Sequence, residues 1–227
     1  MTPVPKVTIV ENILAANDTS ADDVRRRLDA RGIRALNMMS SPGAGKTTLL
    51  ERTIERLRGR LAIGVIEGDI ETSADAERIE RAGAATVQIN TRDACHLEAR
   101  MVAAALEHLD LATLELLVIE NIGNLVCPAA WRLGEDLRVV LASTAEGDDK
   151  PAKYPQMFAI AEVLVLNKID LLPYVDFDVA KARRLALSIN PRLRIFELSC
   201  RTGEGLDAWC EWLLSWAQAG SEKGSDT

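Results

Sequence analysis

SSPGAGKTT, residues 40–48, decides the fold. It follows a short apolar run, IRALNMMS (33–40), and leads into a helical pattern, TTLLERTIERLR. A strand, a glycine-bearing turn and a helix in that order make a phosphate-binding loop. The usual spacing places a glycine five residues before the second glycine. Ser40 holds that place here, and Gly45-Lys46-Thr47 keep the rest of the pattern. Gly43 and Gly45, flanking Ala44, let the backbone turn so that its N–H groups face a β-phosphate, and the helix N-terminus adds partial positive charge. Lys46 is expected to reach the β- and γ-phosphates. The Thr47 hydroxyl is expected on Mg²⁺, with Thr48 completing the nucleotide-binding turn.

Beyond the loop the pattern alternates. LAIGVIEG (61–68), ATVQIN (85–90), LELLVIE (114–120), LRVVLAS (137–143), AEVLVLN (161–167) and LRIFELS (193–199) are short and rich in Val, Ile and Leu. Most do not alternate in polarity, which suits strands covered on both faces. Helical patterns lie between several of them: ADAERIERAG, CHLEARMVAAALEHL, FDVAKARRLALSI and GLDAWCEWLLSWA. The expectation is α/β: one phosphate-loop NTPase domain over 33–217, with a mostly parallel seven-stranded sheet and helices on both faces. Residues 1–32 read as a helical extension packed on that domain. Its helix spans 20–31, started by a capping box at Ser20 and Asp23 and stopped by Gly32. Its RRR run reads as a solvated face. Residues 218–227 read as a loose tail, and no internal repeat is visible.

Composition narrows the function. Of 227 residues, 48% are hydrophobic and 27% charged, an ordinary globular balance. The net charge of −7 argues against nucleic acid as the main partner. No apolar run approaches the roughly 18–20 residues of a membrane span, and the first residues do not read as a secretory signal. Four cysteines are too few for a disulfide scaffold of this size, so a cytoplasmic setting is expected.

Asn167-Lys168-x-Asp170 falls at the C-terminal end of a strand, the edge where open parallel sheets bind ligands. A carboxylate there accepts from both N1–H and the 2-amino group of guanine. Adenine offers neither donor, so Asp170 selects GTP over ATP. The Lys168 stem lies along the base and Asn167 ties the loops together. Ser199-Cys200-Arg201, at the end of the last strand, offer backbone N–H groups to the guanine oxygen.

Asp69 ends the second strand, Asp75 opens the next helix and Glu120 ends another strand. Such carboxylates hold Mg²⁺ or its waters; Asp69 and Glu120, with Lys46 and Thr47, form the expected catalytic set, and Asp75 is expected at the nucleotide and its Mg²⁺. Gly123 follows in a Glu-x-x-Gly pattern that replaces the Asp-x-x-Gly of many GTPases. Its N–H would meet the γ-phosphate and make the next loop sensitive to nucleotide state. That loop, NLVCPAAW, carries Cys127, while Cys95-His96 begin the helix CHLEARMVAAALEHL. Two thiolates and an imidazole suit Ni²⁺ or Zn²⁺, and three ligands leave a position open. The alternative is two buried thiols and a helix-capping histidine. His108 reads as a dipole contact at the helix end, and Cys210 as packing among tryptophans.

Taken together, SSPGAGKTTLLE, EGDIETSADAERI, Cys95-His96, ENIGNLVCPA, EGDDKPAKYPQMF, NKID and TGEGLDAW resemble the hydrogenase nickel-incorporation GTPases of HypB type, in the nucleotide-dimerising (SIMIBI) branch of phosphate-loop GTPases. The resemblance runs from ILAAND, near residue 13, to the helix ending near Trp216. It implies slow GTP hydrolysis and a GTP-dependent homodimer. It also implies a metal site near the subunit interface, formed by Cys95, His96 and Cys127 of each subunit. The implied partners are a nickel-handling accessory protein and the large-subunit precursor of a nickel–iron hydrogenase. Lys150 and Lys153 would touch nucleotide across the dimer. Only two histidines are present, so nickel storage in a histidine-rich tract is not supported, and no cysteine cluster lies near the N-terminus. The rivals are a urease or cobalamin-mutase maturation GTPase and a non-enzymatic metal store. Against the urease type, Cys127-Pro128 is followed by Ala129 rather than histidine.

Overall fold

All seven apolar runs form strands, and every pairing between them is parallel. The computed structural model describes residues 9–69, 74–91 and 94–221. The strands are β1 (Arg34–Ser40), β2 (Ile63–Asp69), β3 (Ala85–Asn90), β4 (Leu116–Gly123), β5 (Leu137–Ser143), β6 (Val163–Asn167) and β7 (Arg194–Glu197), in the order β3-β2-β4-β1-β5-β6-β7. The helices are α1 (Ile9–Asp29), α2 (Lys46–Leu57), α3 (Ala74–Ala82), α4 (Ala99–Ala105), α5 (Lys150–Lys153), α6 (Pro155–Ile160), α7 (Val179–Ile189) and α8 (Leu206–Ser221). The central strands β1, β2, β4, β5 and β6 are buried along nearly their whole length, which is why they read as unbroken apolar runs.

Each central strand sends alternate residues to opposite faces. On one face Leu36, Met38, Val65 and Val118 pack with Leu49 and Leu50 of α2 and Trp209 and Leu213 of α8. On the other, Ala35, Ile66, Leu117 and Ile119 pack with Val24 and Leu28 of α1 and Val102 of α4. A third cluster joins Met39, Val140 and Leu164 to Phe158 of α6. Fully burying each Leu or Val contributes ~2 kcal/mol.

Three sequence expectations need correction. The first helix begins by Ile9, well before Ser20, whose hydroxyl instead donates to Ala16 O (3.2 Å) within the helix. A capping-box signal is silent when the preceding turn is already helical. The RRR run is not a uniformly solvated face either. Arg25 pairs with Asp136 across the domain, and its Nη2 donates to Ile33 O (2.7 Å), while Arg27 pairs with Glu107. Finally, α8 continues to Ser221, four residues into the stretch read as a tail; residues 222–227 lie outside the described residues.

Candidate functional site

The phosphate loop runs from β1 into α2. Gly43 (φ 77°) and Gly45 (φ 102°) take left-handed conformations that side chains with a Cβ resist, and Lys46 starts the helix. Ser40, in the place of the usual glycine, accepts from Lys46 Nζ at 3.0 Å. Ser41 is tied to Glu146, in the 3₁₀ turn that follows β5. Gly123 closes on the loop from β4: a Cβ there would meet Pro42 at 3.1 Å.

Behind the loop is a pocket of acids. Thr47 Oγ1 lies 2.8 Å from Glu120 Oε1 and 3.0 Å from Asp75 Oδ2. Arg78 bonds Asp75 (3.2 Å), Glu51 (2.7 Å) and Thr48 (3.2 Å). Asp69 ends β2 beside this group. Sequence reasoning missed Glu67, which stands in register with Glu120 on the neighbouring strand. Burial pushes its carboxyl up to about 8, aided by the negative charges of Glu120, Asp69 and Asp75. Burial also raises Glu120, and it lowers Lys46 against the pull of Glu120, Asp75 and Glu67. Glu67 Oε2 and Glu120 Oε2 are buried without a hydrogen-bond partner among the described residues. Acceptors left unpaired beside a hydroxyl fit a hydrated divalent cation. The signal for Glu67 was an acid inside an otherwise apolar strand.

Asn167 and Lys168 join the base side to the phosphate loop. Asn167 Nδ2 donates to Ala44 O (3.0 Å), and Lys168 Nζ donates to Gly43 O (2.7 Å). Asn167 Oδ1 accepts from Lys168 N (2.7 Å) and Cys200 N (3.2 Å). Asp170 accepts from Ser199 Oγ at 2.6 Å, with Arg201 Nη1 at 4.0 Å. Gly45, Thr48, Asn167, Lys168, Asp170 and Arg201 line one cavity of about 440 Å³. Ser199-Cys200-Arg201 lie beyond β7, which stops at Glu197. Their N–H groups, expected toward the guanine oxygen, are engaged within the loop: Ser199 N with Glu204 O, Cys200 N with Asn167, and Arg201 N with Ser199 Oγ. Cys200 and Cys210 are buried, with thiols pushed up to about 11 by that burial, as expected of packing residues.

The sulfur site forms where the loop after β4 meets the loop before α4. One ligand atom each from Cys95, His96 and Cys127 lies within 4.8 Å of the others. The helix does not begin at Cys95: Glu98 is its N-cap, so Cys95-His96 sit on the preceding loop. Asn124 Nδ2 donates to Cys95 O (3.2 Å), joining the two loops. The His96 ring stacks on Trp131 at 4.3 Å, and burial lowers its pKa, favouring the neutral imidazole that ligates metals. The neighbouring Cys127, then burial, hold the Cys95 thiol above its ordinary range. Of the other expected residues, Lys153 pairs with Asp149 (2.8 Å) and Lys150 lies over the Tyr154 ring (5.3 Å).

Parallel strands, a phosphate loop with its acids and an Asn-Lys-x-Asp base loop define a phosphate-loop GTPase. Residues 35–197 match the family model of the CobW/HypB/UreG nucleotide-binding domain. The hydrogenase maturation factor HypB of Rhizobium leguminosarum bv. viciae is 52% identical over 207 residues, 91% of this chain and 69% of that protein. That of Escherichia coli K12 is 48% identical over 202 residues, 89% and 70% of the two chains. The crystal structure of Helicobacter pylori HypB in complex with nickel superposes with a TM-score of 0.86 at 37% identity, covering 91% of this chain and 97% of that one. The chain belongs to the HypB family of hydrogenase maturation factors.

Proposed function

We propose that this chain is a GTP-hydrolysing metallochaperone that couples GTP-dependent homodimerisation to nickel delivery during nickel–iron hydrogenase maturation. One observation carries the reading. Gly123 abuts the phosphate loop at Pro42, and Cys127, four residues on, meets Cys95 and His96. A change at the terminal phosphate has only that short segment to cross before it reaches a thiolate. Two sulfurs and a neutral imidazole suit Ni²⁺ or Zn²⁺ and leave a coordination position for transfer. The nickel in the Helicobacter pylori crystal structure makes nickel the first cargo to test.

The reaction is GTP and water to GDP and phosphate. The N–H groups of Gly43, Ala44 and Gly45, with Lys46, hold the phosphates and neutralise the charge spreading over the transferring group. Mg²⁺, when bound, supplies further charge neutralisation; Thr47, Glu120, Asp75 and Asp69 would hold it or its waters. Asp170 selects guanine, with Lys168 and Asn167 fixing the base loop to the phosphate loop. Intrinsic turnover is slow, because the cycle completes at a dimer interface and with partners. Those partners are a nickel-handling accessory protein and the hydrogenase large-subunit precursor, in the cytoplasm. Of the extension over 1–32, the part from Ile9 onward acts as a brace on the GTPase domain over 33–217, residues 1–8 lying outside the described residues, and Lys150 and Lys153 face nucleotide across the dimer.

Sizing the protein with GDP and with a non-hydrolysable GTP analogue, with nickel and zinc read on each peak, tests this. A larger species with the analogue, and metal content that differs between peaks, is expected. One unchanged monomer with nucleotide-independent metal content would overturn it.

A further inference from the structure

Cys127 is one limb of the sulfur site, and the other is the Cys95-His96 loop. Leu97 follows His96 directly. It is fully buried, and both its side chain and its backbone are held by strands that carry the phosphate-side acids. Its N–H donates to Asn121 Oδ1 (3.3 Å), and Asn121 is the residue after Glu120 on β4. Its side chain lies over Gly68 of β2, the residue between Glu67 and Asp69. A Cβ on Gly68 would meet Leu97 Cδ1 and Cδ2 at 2.9 Å and Cγ at 3.0 Å. Strand alternation explains the arrangement. Glu67 and Glu120 point to the α2 face, toward Lys46 and Thr47. Gly68 and Asn121, their neighbours, therefore point to the α4 face, where Leu97 sits.

Other contacts make this a fixed junction. Asn121 Nδ2 donates to Asn37 Oδ1 (3.2 Å) on β1, the strand that becomes the phosphate loop. Asn121 Oδ1 also accepts from Ile122 N (2.9 Å). Thr91, at the start of the loop, donates through both N and Oγ1 to Asp69 O (3.0 and 3.2 Å). Close packing with satisfied buried polar groups transmits small displacements, because neither the methyl contacts nor the amide bonds can be stretched cheaply.

We propose that Leu97 is a positioning residue that links the Cys95-His96 limb to the two acid-bearing strands through Gly68 and Asn121. The metal site then has two mechanical connections to the nucleotide pocket, one through Gly123–Cys127 and one through Leu97. The inference rests on the metal-site reading above and names a second route by which that site responds to nucleotide.

The test is nickel titration of the full chain loaded with GDP or with a non-hydrolysable GTP analogue, following the thiolate-to-nickel charge-transfer absorption. Gly68→Ala drives a methyl into Leu97. It is expected to shift the absorption band, to weaken nickel binding about tenfold and to move the ratio of the two affinities toward one. Leu97→Ala is expected to act in the same direction, whereas Leu97→Met, which keeps volume, stays near the parent. The double variant Gly68→Ala/Leu97→Ala removes the clash and is expected to recover the band and part of the affinity. If folded Gly68→Ala and Leu97→Ala keep the parent band, affinity and ratio, the inference fails while the proposed function stands. Equal weakening in both nucleotide states, with the ratio unchanged, makes Leu97 a mere prop and also overturns the link. A parent protein that binds no nickel, or binds it identically in both states, removes the proposed function and this inference together.

Discussion

Asn167 stands so close to Gly45 that a methyl group on the glycine would meet its Nδ2 at 2.6 Å. The same amide donates to Ala44 O, and Asn167 Oδ1 accepts from Cys200 N. One buried side chain therefore ties together the phosphate loop, the end of β6 and the loop after β7. The phosphate loop and the Asn-Lys-x-Asp loop are parts of one braced structure.

Gly45→Ala should accordingly damage nucleotide binding from two directions. The residue sits at φ 102°, where an L side chain is strained by about 1 kcal/mol or more, and the added carbon strikes Asn167. Titration with a fluorescent GDP analogue should show affinity reduced at least about tenfold. Parent-like affinity would mean that Asn167 yields freely and is no brace.

Asp170→Ala should erase the preference for GTP over ATP. The carboxylate lies in the cavity of about 440 Å³ beside Gly45 and Thr48, oriented by Ser199 Oγ at 2.6 Å. A half-buried carboxylate that accepts from both guanine donors, as proposed, would penalise a base that lacks them by roughly 10⁴-fold, and the variant has no such acceptor. Competition between GTP and ATP for the bound fluorescent nucleotide measures the change. Selectivity equal to the parent's would assign base choice to other groups.

Cys127→Ala should weaken nickel binding and blunt its dependence on bound nucleotide. It removes one of the three side chains whose ligand atoms gather within 4.8 Å, the one on the segment that follows Gly123. Nickel titrations with GDP and with a GTP analogue provide the comparison. Equal affinity in variant and parent would take Cys127 out of the site.

The sheet was legible because its central strands are buried on both faces, so they read as Val-, Ile- and Leu-rich runs without alternation. The phosphate loop was legible because Gly43 and Gly45 mark backbone that only glycine adopts easily. Two kinds of feature were not legible. Helix starts depend on which turn already exists: Ser20 and Asp23 carry a cap signal inside α1, and Cys95-His96 look helical although Leu97 is held on the strands by Asn121. Pairing across strands was also hidden. Glu67 and Glu120 lie 53 positions apart, and only the register of β2 on β4 sets them side by side. The Cys95, His96 and Cys127 types suggested a metal, but their meeting depends on two loops joined by Asn124.

Glu67 gives a pH prediction. Its carboxyl is pushed up to about 8 in the folded protein, chiefly by burial, from the ordinary 4.5 that it regains on unfolding. Between those values the folded state holds a proton that the unfolded state has released. Stability of the protein without nucleotide or metal therefore falls as pH rises from about 4.5 to 8, because folding must retain that proton or bury the charge. Glu67→Gln cannot ionise and lacks this slope. The variant should resist urea better than the parent at pH 8, by on the order of 1 kcal/mol, and differ much less at pH 5. Mg²⁺ with GDP should narrow the gap at pH 8, since a cation beside Glu120 favours the charged carboxylate that the glutamine lacks. Parallel pH profiles for parent and variant, measured by urea unfolding across this range, would show that Glu67 is charged in the folded protein throughout.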